Sequence, residues 1–348
     1  MSKIAAQALN RLIHGLDYLK DHPVVHRGRS LTVVAFGIFA ALDAVACTFV
    51  CYYFLYLKGV PIDWPLVALA PVGCALALCG AKAFHWIALG KKFLANPRKY
   101  LGETGYYEHG GILGAICWIF LASALMGIPR LLLADAMCWG ALAGQFFGRL
   151  GCFNYGCCFG KPTSLPLGVC YTNTDSKILR WRPELRSVPV HPTQLYAAGA
   201  NLLMFLIVGG LLSQPFPDGT IACGFLAWHG LTRLAIEHFR DDIHFREGRN
   251  RITLYVAVAM IVAGLGLAAG GLLLRPPLHT PLVYGLSFRS MADLLATCPQ
   301  FGGALAVAAI MMFLAYGIHG PILGRFPGRL PSSKPSDLLV ETRNAILE

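Results

Sequence analysis

Charge is scarce in this 348-residue chain. Only 14% of its residues are Asp, Glu, Lys or Arg, where a soluble globular domain carries about 25%. Acidic residues are the rarer half, 18 against 29 Lys and Arg. So little charge excludes a fold hydrated on all sides, and 56% hydrophobic residues with a mean hydropathy of +0.57 agree. The apolar runs lack period-two alternation, which excludes the strands of a membrane barrel. No internal repeat or low-complexity tract occurs, so the chain is no repeat array. The first apolar run, from Leu31, is too long for the core of a signal peptide and follows thirty residues carrying five Lys/Arg, so no cleavable signal is expected. Ala44-Val45-Ala46-Cys47 is no lipoprotein processing site, because it lacks the leucine three positions before the cysteine and follows Asp43 directly. The twelve cysteines contain no C-x-x-C pair, the spacing of zinc sites.

Long apolar runs are abundant. A helix needs roughly 20 residues to cross a bilayer, and eight candidates occur: 31–57, 64–89, 110–127, 131–150, 194–213, 221–239, 252–274 and 302–318. The expected fold is an all-α integral membrane protein, a polytopic bundle of about seven or eight helices with a small extramembrane head. Residues 1–30 form an N-terminal segment in which Ile4, Ala5, Leu9, Leu12, Ile13, Leu16 and Leu19 repeat at helical spacing, predicting an amphipathic helix on the membrane surface. Residues 31–274 are the catalytic bundle and carry the head insert 151–193. Residues 275–348 add one span and a proline- and charge-rich tail from Arg325. Five prolines and the alternating run Gly168–Thr172 predict turns and one or two short strands in the head.

The net charge of +11 is unevenly spread. Of the 29 Lys and Arg, 23 lie on one set of alternate loops with the two termini and only 4 on the other; Lys82 and Arg233 fall inside spans. Positive residues favour the cytoplasmic side, which places the Arg149 face there. A face that binds phosphates is basic whichever way it points, so both explanations stand.

The segment Gly148-Arg-Leu-Gly-Cys-Phe-Asn-Tyr-Gly-Cys-Cys-Phe-Gly160 closes the fourth span. It sets a guanidinium at headgroup level beside glycines that let backbone N–H groups approach a ligand, a composition suited to a phospholipid phosphate. Further motifs follow a fixed order: Glu108-His-Gly-Gly-Ile-Leu-Gly114, the arginine segment, Gly160-Lys-Pro-Thr-Ser-Leu-Pro-Leu-Gly-Val169, His191-Pro-Thr-Gln-Leu-Tyr196, and Arg233-x-x-x-Glu237-x-x-Arg240. Together they resemble the prolipoprotein diacylglyceryl transferase family over roughly residues 65–260. The resemblance implies a bacterial cytoplasmic-membrane enzyme that moves a diacylglyceryl group from phosphatidylglycerol to a lipoprotein cysteine, through a site facing outward. Cys152 and Cys157 depart from the family pattern, which has asparagine and glutamate there. Tyr155 replaces another asparagine, and Ala197 replaces a glutamate.

The residues support lipid chemistry independently. Displacing a glycerol phosphate from a primary carbon develops negative charge on the leaving phosphate, which positioned guanidiniums stabilise. Arg149 and Arg233 are the expected pair, although Arg149 could also snorkel and Arg233 could be buried on Glu237, one turn away. The resemblance makes His109 the base that takes the acceptor's proton. The wider binding set is Lys82, Gly110, Gly111, Gly156, Gly160, Lys161, Glu237 and Arg240. His191, Gln194 and Tyr196 are expected to hold the head on the bundle by hydrogen bonds. Asp43 and Asp135 are expected to pair with Lys82 or Arg233.

Cys152, Cys157 and Cys158 carry three readings. They are reactive or redox thiols, small structural residues or, as the weakest reading, metal ligands; no metal and no cofactor is expected. Arg149 favours a thiolate at Cys152 or Cys157. The partners expected are a phosphatidylglycerol-like lipid and a lipoprotein precursor or other thiol acceptor, with no nucleic acid. Two other classes stay open, a thiol-dependent membrane acyltransferase or oxidoreductase on the same bundle, and a non-catalytic lipid or metabolite transporter lined by Asp43, Lys82 and Asp135.

Overall fold

A computed structural model describes residues 15–101, 105–241, 250–274 and 280–320. Its long helices are α1 (Phe36–Leu57), α2 (Trp64–Leu89), α3 (Glu108–Met126), α4 (Arg130–Tyr155), α5 (Thr193–Leu211), α6 (Thr220–Glu237) and α7 (Asn250–Leu274), followed by the short α8 (Phe288–Thr297) and by α9 (Pro299–Gly317). Seven of these are long and apolar enough to cross a membrane; α6, which carries Arg233 and Glu237, is not among the seven. The chain is a polytopic helical membrane protein.

Helix limits follow from capping residues. Asp63 accepts a hydrogen bond from the Leu66 N–H (3.2 Å) to start α2. α3 and α4 both end on a glycine in the left-handed region, Gly127 (φ +68°) and Gly156 (φ +73°). α4 therefore runs past residue 150, and Arg149 sits inside the helix with Cys152 one turn further on.

α4 lies against α1 and α5, α2 against α3, α6 against α7, and α9 against α1 and α2. In lipid the drive for such packing is close van der Waals contact, which small residues permit. A Cβ on Gly110 of α3 would collide with the Gly80 carbonyl oxygen, and one on Gly114 would collide with that of Leu76. The glycines of the Glu108–Gly114 motif thus fix how closely α2 and α3 cross. The packed interior holds Tyr52, Tyr53, Phe54, Trp118, Trp139 and Phe301. Their polar tips are satisfied: Tyr52 donates to the Leu66 carbonyl (2.7 Å) and Trp118 to that of Leu69 (2.8 Å). Apolar side chains such as Val262, Leu267, Phe120 and Ile310 point outward, as a lipid-facing surface requires.

The head, residues 156–192, folds over its own apolar cluster of Phe159, Tyr171, Ile178, Leu179, Leu185 and Val190. The strands expected there are replaced by isolated bridges, among them Val169 with Val190 and Gly160 with Arg240, around a short helix Lys177–Trp181. The prolines interrupt any longer ladder because each removes an N–H donor. Tyr171 donates to the Phe153 carbonyl (2.9 Å), and buried Arg182 pairs with Asp241 (2.8 Å), so the head is tied to the ends of both α4 and α6.

Strands occur instead at the N-terminal side. Val24–Arg27 (β1), Thr32–Val34 (β2) and Ile318–His319 (β3) form a small antiparallel sheet in the order β1-β2-β3. The first span begins at Phe36 rather than residue 31, since the residues before it pair in this sheet. Of the amphipathic helix expected over 4–19, residues 15–20 are helical; residues 4–14 and the tail from Arg325 lie outside the described residues.

Candidate active site

Six residues separate the Arg149 position from the end of α4 and 84 separate it from Arg233, yet both line one cleft where the head meets the bundle. The cleft is partly open to solvent, and Cys158, Gln194, His229 and Arg240 also reach it. Arg149 comes from α4, Arg233 from α6, Gln194 from the first turn of α5, and Arg240 from the turn after α6. The sequence expectation that two guanidiniums from the fourth and sixth helices converge is met in this geometry.

Each arginine is oriented by a carboxylate. One Nη2 of Arg149 donates to both oxygens of Glu108, at 3.0 and 3.1 Å. Arg233 lies 3.4 Å from Glu237, which is also 3.8 Å from Arg240. Glu237 is buried, so its charge would be costly without the two cations beside it. Three guanidiniums lining one cleft make it suited to an anion.

His109 follows Glu108 at the start of α3, with its ring against Phe84, and does not line the cleft. His229 does, and its Nε2 is 4.0 Å from Glu108 Oε1. Sequence reasoning missed His229, Thr193, Asn201 and Thr232. The signal for His229 was present: it lies four residues before Arg233, on the same helix face.

The loop after α4 brings the three thiols together. Gly156 turns the chain in the left-handed region, and Cys158 follows at φ +56°, a conformation uncommon for a residue with a Cβ. Gln194 donates to the Cys157 carbonyl (2.6 Å) and Thr193 to that of Cys158 (2.5 Å). The Sγ atoms of Cys152, Cys157 and Cys158 consequently all lie within 4.8 Å of one another. Hydrogen bonds from the Cys152 and Cys157 thiols hold the Cys158 thiol well below its usual range, while the Cys157 thiol is pushed up by its bonds to Cys152 and Cys158. The thiolate expected at Cys152 or Cys157 is therefore favoured at Cys158 instead.

The remaining expected residues have structural partners. His191 Nδ1 meets the Tyr196 hydroxyl at 3.1 Å, and its backbone carbonyl accepts from Gly160 N–H (3.2 Å). Lys161 N–H donates to the Phe239 carbonyl (2.8 Å), which continues this head–bundle seam. Burial first, then Lys161, holds the His191 imidazole below its usual value. Lys82 lies over the rings of Trp86 and Tyr106. Gly111 is loosely surrounded, with only the Ala77 carbonyl oxygen, 3.8 Å away, near a notional Cβ. A Cβ on Gly160 would lie 2.6 Å from the His191 carbonyl oxygen, so that glycine permits the bridge to Arg240.

Among the described residues Asp43 and Asp135 form no ion pair with Lys82 or Arg233. Asp135 accepts from the Gly219 and Ala222 N–H groups (2.7 and 2.8 Å) and so caps α6. Its position early in α4 puts it at the opposite end of the bundle from Arg149. Asp43 packs against Gly144 and Gly148 of α4, where a Cβ on Gly144 would collide with its Oδ1.

A cationic cleft between a helical membrane bundle and a small head defines a membrane-embedded enzyme of lipid chemistry. The chain belongs to the prolipoprotein diacylglyceryl transferase family, an enzyme family of transferases, whose model matches residues 23–269. It is 26% identical over 245 residues to the phosphatidylglycerol–prolipoprotein diacylglyceryl transferase of Clostridium tetani, covering 70% of this chain and 95% of the relative. Identity to the enzyme of the same name from Ruegeria pomeroyi is 30% over 274 residues, covering 69% and 90%. With that of Bradyrhizobium diazoefficiens it is 32% over 186 residues, covering 50% and 61%. α8 and α9 lie beyond the matched region, although α9 packs so closely on α1 that a Cβ on Gly37 would collide with Gly317 Cα.

Proposed function

We propose that this chain transfers a diacylglyceryl group from phosphatidylglycerol to a thiol acceptor in a bacterial cytoplasmic membrane. The observation that carries this reading is the convergence of Arg149, Arg233 and Arg240 on one cleft. Attack by the acceptor sulfur forms a C–S bond at the primary glyceryl carbon and breaks the C–O bond to phosphate. The departing glycerol phosphate gains charge in that step, so guanidiniums fixed in advance lower the barrier. Glu108 and Glu237 hold two of those groups in place, and His229, or His109 behind it, takes the thiol proton. Lys82 and Lys161 attract the anionic headgroup from the membrane surface. Gln194 fixes the cysteine loop against α5, while His191 and Tyr196 brace the head.

Purified protein incubated with phosphatidylglycerol labelled in its diacylglyceryl part and a cysteine-containing lipobox peptide should yield labelled peptide. Arg149→Ala should abolish the transfer while the protein stays folded. Undiminished transfer by that variant, or none from the wild type on any thiol peptide, would refute the reading. A reporter fused beyond α9 reads the side of the membrane on which that end lies, and a cytoplasmic site would rule out secreted lipoprotein cysteines as acceptors.

One observation favours a second reading: Cys158 lines the same cleft as the arginines. A cysteine attacking a lipid ester carbonyl forms a thioester as the acyl C–O bond breaks, and the lysolipid leaves as an alcohol carrying the thiol's proton. A second acceptor can then take the acyl group and return the thiol. In the same incubation, hydroxylamine-labile label on the enzyme, carried only by acyl-labelled lipid, would select that reading over glyceryl transfer.

A further inference from the structure

The spacing of Cys152, Cys157 and Cys158 matches no paired zinc motif, but the fold makes a single cluster of them. Cys152 stands on the last full turn of α4; Gly156 (φ +73°) reverses the chain, and Cys158 (φ +56°) turns its thiol back toward the helix. The reversal is fastened by the Cys157 N–H to the Cys152 carbonyl (3.1 Å), and by Gln194 and Thr193 to the carbonyls of Cys157 and Cys158. All three sulfurs end within 4.8 Å of one another. A tetrahedral zinc ion with Zn–S bonds of about 2.3 Å sets its sulfurs roughly 3.8 Å apart. Only a small contraction of the cluster is needed.

We propose that Cys152, Cys157 and Cys158 bind a zinc ion whose fourth position opens on the lipid cleft and takes the acceptor thiol. The proposal rests on the thiol-transferase reading and specifies how the acceptor is held. Three protein ligands with one open position distinguish catalytic zinc from closed structural zinc, and Cys158 borders the cleft directly. Three thiolates on Zn²⁺ carry one net negative charge, and a fourth makes two. Such a charge at the edge of a membrane needs nearby cations, and Arg149, Arg233 and Arg240 line the same cleft. Thiolate ligands favour soft or borderline metals, and zinc among these has no redox chemistry of its own.

The step balances without a redox partner. The acceptor thiol coordinates and loses its proton to His229, which lines the cleft. The metal-bound sulfur attacks the glyceryl carbon, so that a C–S bond forms and the C–O bond to phosphate breaks, the electron pair leaving on a phosphate oxygen beside the arginines. The proton then passes from His229 to the glycerol phosphate. The product is a neutral thioether, a weaker ligand than a thiolate, and it dissociates. Zinc is Zn²⁺ throughout.

The test uses full-length protein in detergent. Elemental analysis should find about one zinc per chain after gel filtration, and no zinc in a triple variant with Cys152→Ser, Cys157→Ser and Cys158→Ser. Cys170→Ser, in the head but outside the cluster, should retain it. Cobalt-loaded wild type should show thiolate-to-metal charge-transfer absorption that a cysteine peptide changes and its serine analogue does not. Zinc far below one per chain in wild-type protein, even after loading, would overturn the site, and that arm does not depend on the variants folding. A disulfide between Cys152 and either neighbour in protein alkylated directly from cells, or copper in place of zinc, would overturn it equally. A cobalt spectrum indifferent to the cysteine peptide would overturn acceptor coordination. Transfer by zinc-free protein at the wild-type rate would refute the role given to the metal and leave the transferase reading standing. Bound zinc with no transfer would refute the transferase reading and, with it, the role given to the metal.

Discussion

Glu108, at the first turn of α3, accepts two hydrogen bonds from a single Nη2 of Arg149 on α4, at 3.0 and 3.1 Å. The arginine side chain is 14% exposed and the glutamate 41%, so the pair is part-buried and open on one side. Such a pair orients a guanidinium without sealing it from an incoming phosphate.

Removing that orientation should slow the reaction more than it weakens lipid binding. Glu108→Gln keeps the shape and loses the charge-assisted bonds, worth about 1.5–3 kcal/mol in general. The expected loss in kcat is on the order of tenfold to a hundredfold, with KM for phosphatidylglycerol changed far less. Steady-state kinetics with labelled lipid decide it, and a rise in KM alone would reassign Glu108 to substrate binding.

Arg149→Lys should be nearly as damaging as Arg149→Ala. Lysine keeps the charge but loses the planar fork that can serve Glu108 and a phosphate together. Loss of a positioned donor to a developing oxyanion costs about 10²–10³ in kcat. Transfer assays on both variants, with circular dichroism to verify folding, check this.

The two histidines should separate. His229 lines the cleft and His109 does not, so His229→Ala is expected to cost about 10²-fold in rate, in the range of general-base removal, and more than His109→Ala. The reverse order in a single-turnover assay would return the proton-accepting role to His109.

Asp135 acts through structure. Its two hydrogen bonds cap α6, the helix that carries Arg233. Asp135→Ala should lower stability by about 1–2 kcal/mol, the usual worth of a cap, seen as a fall of several degrees in the thermal midpoint in detergent. Activity per folded molecule at low temperature should be little changed.

The seam between head and bundle should weaken in acid. His191 has its imidazole held below its usual value by burial and then by Lys161. A histidine with a depressed value in the folded state stabilises while it is neutral, and that contribution is lost as pH falls below about 6.5. The thermal midpoint should therefore drop between pH 7.5 and 5.5, and His191→Gln should make the drop smaller.

Much of the fold was legible because membrane spans are written in long apolar runs. Eight apolar runs were expected to cross, and each is a helix within a few residues, except that the first starts at Phe36 and the fourth continues to Tyr155. Seven of the eight are long and apolar enough to span, and α6, over the run 221–239, is not. The limits at Phe36 and Tyr155 depend on pairing in a small sheet and on a left-handed turn at Gly156, neither of which hydropathy encodes. Arg149 and Arg233 stood out in the sequence because an arginine inside or at the edge of a span is costly to keep, and the structure sets both on one cleft. Asp135 misled for the same reason: its partners are backbone N–H groups, which no residue pattern displays.

By itself the sequence determined a helical membrane bundle, a basic face, a set of cations ordered as in the diacylglyceryl transferase family, and a group of thiols that departs from that family's pattern. These follow from local composition, since each span must satisfy its own backbone in lipid wherever it lies. The tertiary structure decided which side chains meet. It opened one cleft to Arg149, His229, Arg233 and Arg240, set Glu108 on Arg149, and brought three sulfurs from irregular spacings within 4.8 Å. Proximity between residues on different helices depends on how closely those helices cross and how the loops turn, and the spacing along the chain specifies neither.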